Sequence, residues 1–346
     1  MRSCYVNNLR IVALGGGGGA SQILLGATPF FAQRTAVVAV TDTGRSTGVA
    51  RSVGKIPAPG DLRATIAALA ANRDTLWPRL LELRFRSAEH AALDGMAFGN
   101  LLIAALTQLG GDFAAAVELV SELAETAATV LPVSTADVQL CAQLADGALV
   151  HGEIHVRGLA KPPIRRVFLE PSAPAFPPVL NAIMAADLVT IGPGSFFTSL
   201  LATLQFEGVV EALRATPARV VYICNSTTQS GQTEHMNAYD HVAQLSAVLG
   251  PGHLDAALIN RSLQLPQEQM ARLAADGLQV LIPDDAQLAA VAALGVQPLV
   301  ADYREAEGEV RQLWNKQDTL RYDATKVGAA LAAYLGQERR FYARVA

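Results

Sequence analysis

Five consecutive glycines, Gly15, Gly16, Gly17, Gly18 and Gly19, stand between an apolar run (Leu9–Leu14) and a helix-compatible stretch (Ala20–Leu25). Glycine loses more backbone freedom on folding than any other residue, so five in a row weaken an ordinary element. The placement is informative: strand, glycine turn, helix start. Bare N–H groups and the positive end of a helix dipole make such a turn an anion site. All five glycines are assigned to a ligand-facing turn, with Ser21 in the helix that follows. Gly15-x-Gly17-x-x-Ala20 fits the dinucleotide pattern, and Asp42 stands where an acid binds a ribose hydroxyl.

The rest of the chain repeats the strand-then-helix rhythm. Strands are expected at Leu9–Leu14, Ala36–Val40, Leu188–Ile191, Val220–Cys224, Ala256–Ile259 and Leu278–Ile282. They are continuously apolar, as in a parallel sheet covered on both faces. Helices are expected over Asp61–Asn72, Gly99–Gln108, Phe113–Leu123, Pro178–Ala186, Thr198–Leu213, Gln267–Asp276 and Thr325–Leu335. The fold class is therefore α/β: Rossmann-like and doubly wound, with a mainly parallel sheet. Residues 136–168 instead show alternation, including Val150 to Val156, and an Asp146-Gly147 hairpin turn. They are read as a small antiparallel β insertion within one Rossmann-like domain spanning 1–346, whose C-terminal α/β part begins near 255.

Four polar or glycine-rich segments follow four of the strands: Gly15–Gly19, Thr41–Gly44, Gly192–Ser195 and Asn225–Gln229. In an open parallel sheet, ligands bind beyond the carboxyl ends of the strands. Parallel strands would therefore bring all four segments to one crevice. Gly192, Gly194, Ser195 and Thr198 form either a second anion turn or a helix cap at Ser195. Asp61 and Arg63, in Pro59-Gly60-Asp61-Leu62-Arg63, and Asn100, in Phe98-Gly99-Asn100, open helices. Asp61 is either a plain N-cap or a ligand or metal contact, and Asn100 is either a cap or a contact to a base or sugar. Asp240-His241 offers proton transfer, although a surface or capping role is the commoner one.

Composition excludes several classes. Lys and Arg number 27 against 31 Asp and Glu, a net charge of −4 that argues against a nucleic-acid partner. Apolar residues make up 51%, ample for a large core. Cys4, Cys141 and Cys224 are too scattered for a disulfide framework, and the histidines show no metal-ligand spacing. No metal ligand is assigned on these grounds. No apolar run is long enough to span a membrane, and Ile11–Leu14 is too short for a signal sequence. A cytoplasmic protein is expected, with a homo-oligomer left open.

Several ordered motifs resemble the YvcK/CofD-like family. They are Gly15–Gly19, Pro59–Arg63, Phe98–Leu106, Val167–Pro171, Ala186–Ser195 and Tyr222–Glu234, spread over roughly residues 9 to 335. The resemblance implies one of two activities. One is a CofD-type transferase that moves a phospholactyl-type group from a guanylated donor to a deazaflavin with Mg2+. The other is the YvcK branch, or gluconeogenesis factor, which binds nucleotide sugars and supports cell shape and gluconeogenic growth. The chain is closer to the second, and whether it is an enzyme is left open. The implied partner is a small phosphate-bearing ligand, a nucleotide sugar or dinucleotide. The implied contacts are the glycine turn with Ser21, Asp42, Arg45, Ser46, Asp61, Arg63 and Asn100. They continue with Gly192, Gly194, Ser195, Thr198, Asn225, Thr228, Gln229, Gly231 and Thr233. The branch carries an acidic pair after its second strand, where this chain has Asp42-Thr43-Gly44-Arg45-Ser46. Thr43 removes a carboxylate from any Mg2+ site, and Arg45 adds a charge able to reach a phosphate.

Overall fold

The computed structural model describes residues 8–261, 265, 267–305 and 321–345. Cys4 and residues 306–320 of the C-terminal part lie outside the described residues. Ten strands are described: β1 (Arg10–Gly15), β2 (Gln33–Val38), β3 (Thr129–Pro132), β4 (Gln139–Leu144), β5 (Leu149–His151), β6 (Ile164–Glu170), β7 (Leu188–Ile191), β8 (Arg219–Ile223), β9 (Ala256–Asn260) and β10 (Gln297–Ala301). The N-terminal helices are α1 (Gly17–Ala27), α2 (Arg45–Gly54), α3 (Gly60–Leu69), α4 (Leu76–Glu82), α5 (Phe98–Gly110) and α6 (Phe113–Leu123). They are followed by α7 (Glu153–Val156), α8 (Pro177–Ala185), α9 (Val209–Ala215), α10 (Ala238–Leu249), α11 (Gln267–Ala275), α12 (Asp285–Ala293) and α13 (Ala324–Val345).

Seven strands form one parallel sheet in the order β10-β9-β8-β7-β1-β2-β3. The chain moves outward from β1 in one direction and from β7 in the other. The switch point, where a doubly wound sheet opens a crevice, therefore lies between β1 and β7. Central strands β7 and β9 are buried throughout, and β1 is buried from Ile11 onward. Each fully buried Val, Leu or Ile there contributes about 1.5–3 kcal/mol. The expected antiparallel insertion is a three-stranded sheet, β5-β4-β6. Its hairpin turns at Gly147, with φ +91°.

Several elements differ from the sequence reading, among them helices α2, α4, α10 and α12, which it did not anticipate. The alternation from Val150 to Val156 does not continue as strand, because Gly152 adopts φ +90° and Glu153–Val156 coil into α7. Leu278–Ile282 is no strand, and only Val280 bridges to Thr227. The expected helix over Thr198–Leu213 splits into a wide π-helical turn, Phe196–Leu201, and α9. Gly208, at φ +93°, is the N-cap of α9. Edge strands β3 and β10 carry Pro132 and Pro298, residues that demote a run as a strand by sequence but are tolerated at an edge.

The long C-terminal helix α13 packs on α1 through two glycines. A Cβ on Gly26 would lie 1.7 Å from Ala324 O, and one on Gly328 would lie 2.0 Å from Gly26 O. Alanine in a helix ordinarily gains about 0.5–1 kcal/mol over glycine, but overpacking against backbone costs about 1–3 kcal/mol. Gly328→Ala is therefore expected to destabilise the protein by a net 1–2 kcal/mol or so, read as a lower urea midpoint with an unchanged slope.

Candidate functional site

The four strand-end segments meet at the carboxyl edge of the parallel sheet. They enclose a crevice of about 580 Å³. Gly16, Gly17, Gly18 and Gly19 line it, whereas Gly15 ends β1 behind them against Leu200. Gly16 is an extended N-cap (φ −80°, ψ 166°), and no side chain caps α1. Gly17 to Gly19 are already helical, so three of the five glycines are the first turn of α1 rather than a loop. Ser21 points away, its hydroxyl donating to the carbonyls of Gly17 (2.8 Å) and Gly18 (3.1 Å).

Opposite α1 lies the turn after β7. Gly192 has φ +89° and precedes a cis Pro193, while Gly194, Ser195 and Thr198 face the crevice. Ser195 is the N-cap residue of the π-helical turn, but its side chain makes no capping hydrogen bond. Its hydroxyl donates to Gln232 Oε1 (3.0 Å) and contacts Thr198 Oγ1 (2.7 Å). The segment after β8 braces this turn. Asn225 Nδ2 donates to the Gly194 carbonyl (2.8 Å), and the Phe196 N–H donates to Gln229 Oε1 (2.8 Å). Thr228 lines the crevice too, but its hydroxyl accepts from the Gln279 N–H (2.8 Å). Gly231 and Thr233 stand behind the lining. Gly231, at φ +75°, packs on the Arg157 carbonyl, and Thr233 Oγ1 accepts from the Gln229 N–H (2.9 Å).

Acids and bases complete the walls. Asp42 lines the crevice and accepts from the Gly44 N–H (3.1 Å). Asp61 lines it from the first turn of α3. Glu153 and Arg157 reach it from α7, paired with each other at 3.1 Å, and Glu153 also meets Thr43 Oγ1 at 3.4 Å. Arg321 and Tyr322 contribute from the C-terminal part. Sequence reasoning missed Glu153, Arg157, Ser199, Gln232 and Arg321. Gly152 was the one available signal for the first two, because its position breaks the alternation that α7 interrupts.

Four more expected contacts also sit outside the lining. Arg45 is exposed at the start of α2. Ser46, Arg63 and Asn100 form a buried network beneath it. Arg63 Nε donates to Asn100 Oδ1 (3.1 Å), Asn100 Nδ2 donates to Ser46 Oγ (3.1 Å), and Ser46 Oγ accepts from the Ala97 N–H (2.8 Å). Burial lowers the pKa of the Arg63 guanidinium, while its ion pair with Glu82 opposes the shift.

The family-wide sequence model described as 2-phospho-L-lactate transferase CofD matches residues 11–303. The chain belongs to the CofD family. Within that family it is 35% identical to a gluconeogenesis factor of Bacillus subtilis over 94% of this chain and 98% of the relative. A gluconeogenesis factor of Halalkalibacterium halodurans is also 35% identical, covering 93% and 95%. The X-ray crystal structure of protein BH3568 from Bacillus halodurans superposes with a TM-score of 0.84 at 35% identity, over 94% of this chain and 99% of that one. The chain is thus a CofD-family protein of the YvcK type.

A Mg2+ ion of the kind the family's transferase branch uses finds a poor donor set here. Asp42, Asp61 and Glu153 do not converge as a three-donor group among the described residues, and position 43 offers a hydroxyl already directed at Glu153. No step through Mg2+ is derived from this crevice. Cys224 offers no nucleophile either, since burial pushes its thiol up to about 12. Among the described residues no helix is long and apolar enough to cross a membrane.

Asp240 and His241 are not arranged as a proton-transfer pair. Asp240 closes the capping box of α10 with Asn237. His241 is fully buried, edge-on to Phe196 at 4.8 Å, with Nδ1 donating to Asn237 O (2.8 Å) and Nε2 unpartnered. Burial lowers its pKa from the ordinary 6.5, ahead of the smaller raising effects of Asn237 and Asp240. The unfolded chain therefore binds this proton first as pH falls. The stability that neutral His241 confers is present above pH 6.5 and is lost as pH drops from there toward the lower folded value. His241→Leu should flatten that acid limb in denaturant titrations at stepped pH.

Asn100→Ala would leave the buried Arg63 Nε without its acceptor and remove one of the two donors to Ser46 Oγ. A loss of about 1–3 kcal/mol in folding stability is expected, with ligand affinity nearly unchanged. A large affinity loss at unchanged stability would place Asn100 in the binding site instead.

Proposed function

We propose that the crevice binds a nucleotide-linked ligand, a nucleotide sugar or a dinucleotide. The chain then acts as a cytoplasmic binding factor in cell-wall and cell-shape control and in gluconeogenic growth. One observation carries the reading: a helix N-terminus whose N-cap is the glycine Gly16 shares a crevice with the carboxylates of Asp42 and Asp61. The α1 dipole and first-turn N–H groups favour phosphate. Asp42 and Asp61 would repel a bare phosphate cluster, but they accept hydrogen bonds from sugar hydroxyls. A ligand with both groups satisfies both walls. A crevice of about 580 Å³ falls in the range of pockets for such molecules, roughly 300–1,000 Å³. Arg157, paired with Glu153, and Arg321 also line the crevice.

In this assignment Gly16–Gly19 and Gly194–Ser195 meet the phosphates, and Asp42 and Asp61 meet the sugar. Asn225, Thr228 and Gln229 act as positioning residues, since their side chains hold the turns. The second reading, a CofD-type transferase, is favoured by the family match over residues 11–303. It requires a guanylated donor, a deazaflavin and Mg2+.

A thermal-shift panel of UDP-sugars, NAD-type dinucleotides and GTP separates these readings. At a ligand concentration of 100 Kd, stabilisation of about 2.7 kcal/mol is expected for a true ligand. Silence across the panel would sink the binding reading, and product formed from the guanylated donor would establish the transferase. Asn225→Ala should weaken the best ligand by about 1–3 kcal/mol in titration calorimetry, because it frees the Gly194 carbonyl.

A further inference from the structure

The antiparallel sheet carries a second cluster of chemistry on the face turned away from the core. Along β4, Leu140, Ala142 and Leu144 belong to the core, and Cys141, itself fully buried, lies on the opposite face of the strand between them. Cys141 stands directly opposite His151 on β5 and Phe168 on β6, and Gln139 stands opposite Glu170. The pairing register thus places His151 beside Cys141 and Glu170 diagonal to it, within side-chain reach. Cys141 Sγ lies 3.3 Å from His151 Nδ1 and 3.5 Å from Glu170 Oε2, and the latter two atoms are 2.9 Å apart.

Two arrangements use a thiol, an imidazole and a carboxylate. A nucleophile–base relay sets the thiol on one imidazole nitrogen and the carboxylate on the other. Here both neighbours face the same nitrogen, Nδ1, so no relay runs through the ring. The three donor atoms instead converge on a common point. Zinc bonds sulfur at about 2.3 Å and nitrogen or oxygen at about 2.0–2.2 Å, which sets tetrahedral ligand edges near 3.3–3.6 Å. Two of the three edges already match, and the third needs a few tenths of an ångström.

We propose that Cys141, His151 and Glu170 form a divalent metal site of the zinc class, with a fourth position open to water. The side chains of His151 and Glu170 are 46% and 49% exposed, so the outward side is accessible. A thiolate and an imidazole select zinc over the all-oxygen preference of Mg2+ and Ca2+. Binding deprotonates the Cys141 thiol and releases that proton to solvent. The ion joins all three strands of the small sheet. It sits on β5 immediately before Gly152 and Glu153, the start of the α7 turn that lines the crevice.

The test uses the full, tag-free chain, stripped of metal with a chelator. Zn2+ is titrated against a chromophoric competitor, and Co2+ serves as a spectroscopic probe. One equivalent of Zn2+ per chain is expected, with a thiolate-to-cobalt charge-transfer band that disappears in Cys141→Ser. The half-exposed variants His151→Ala and Glu170→Gln keep the circular dichroism of the parent. Each should lower Zn2+ affinity by at least about tenfold. Absence of stoichiometric Zn2+, absence of the thiolate band, or parent-like affinity in His151→Ala and Glu170→Gln would each overturn the assignment.

Discussion

The crevice depends on backbone-to-backbone contact at the first turn of α1. A Cβ on Gly17 would lie 2.5 Å from Asp61 O, and one on Gly19 would lie 1.7 Å from Pro193 O. Only glycine lets α1, α3 and the turn after β7 come that close. Their contact occurs at the switch between β1 and β7, and it aims the α1 N-terminus into the opening. The glycine run thus serves two purposes. Gly17 and Gly19 are demanded by packing, and Gly16 to Gly19 line the crevice without side chains.

Around that contact the loops hold one another. Asn225 and Gln229 spend their side chains on the turn at Gly194–Phe196, and Thr228 spends its hydroxyl on Gln279. A binding surface locked before the ligand arrives loses less freedom on association. The amides and hydroxyls of Asn225, Gln229 and Thr228, singled out by sequence, are thus engaged in holding neighbouring segments. The groups that face the crevice are the glycines at the start of α1, Asp42 and Asp61, and Glu153 and Arg157. Gly231 joins these regions by packing, because its missing Cβ allows the Gln229–Glu234 segment to dock on the Arg157 and Gly158 carbonyls.

The central strands were legible because burial on both faces leaves a continuous apolar run, as at Leu188–Ile191 and Ala256–Ile259. Edge strands β3 and β10 were not, since half-covered strands carry polar residues and proline. Leu278–Ile282 has the composition of a strand, yet Leu278 is buried in a small satellite cluster with Leu273, and no ladder forms. Local composition reports that a segment is buried, not what it is buried against.

The sequence by itself determined the parallel α/β architecture, the four strand-end segments and the CofD-family membership, because each rests on short-range pattern or ordered motif. Only the tertiary structure decided which named residues share the crevice. It set Ser46, Arg63 and Asn100 into a buried network, and it brought Glu153 and Arg157 in from an insertion more than 100 residues beyond Asp42. It also gathered Cys141, His151 and Glu170 from three strands, at spacings that match no metal motif. The physical reason is shared: strand register and loop docking are set by contacts between distant segments, and these decide where a side chain points.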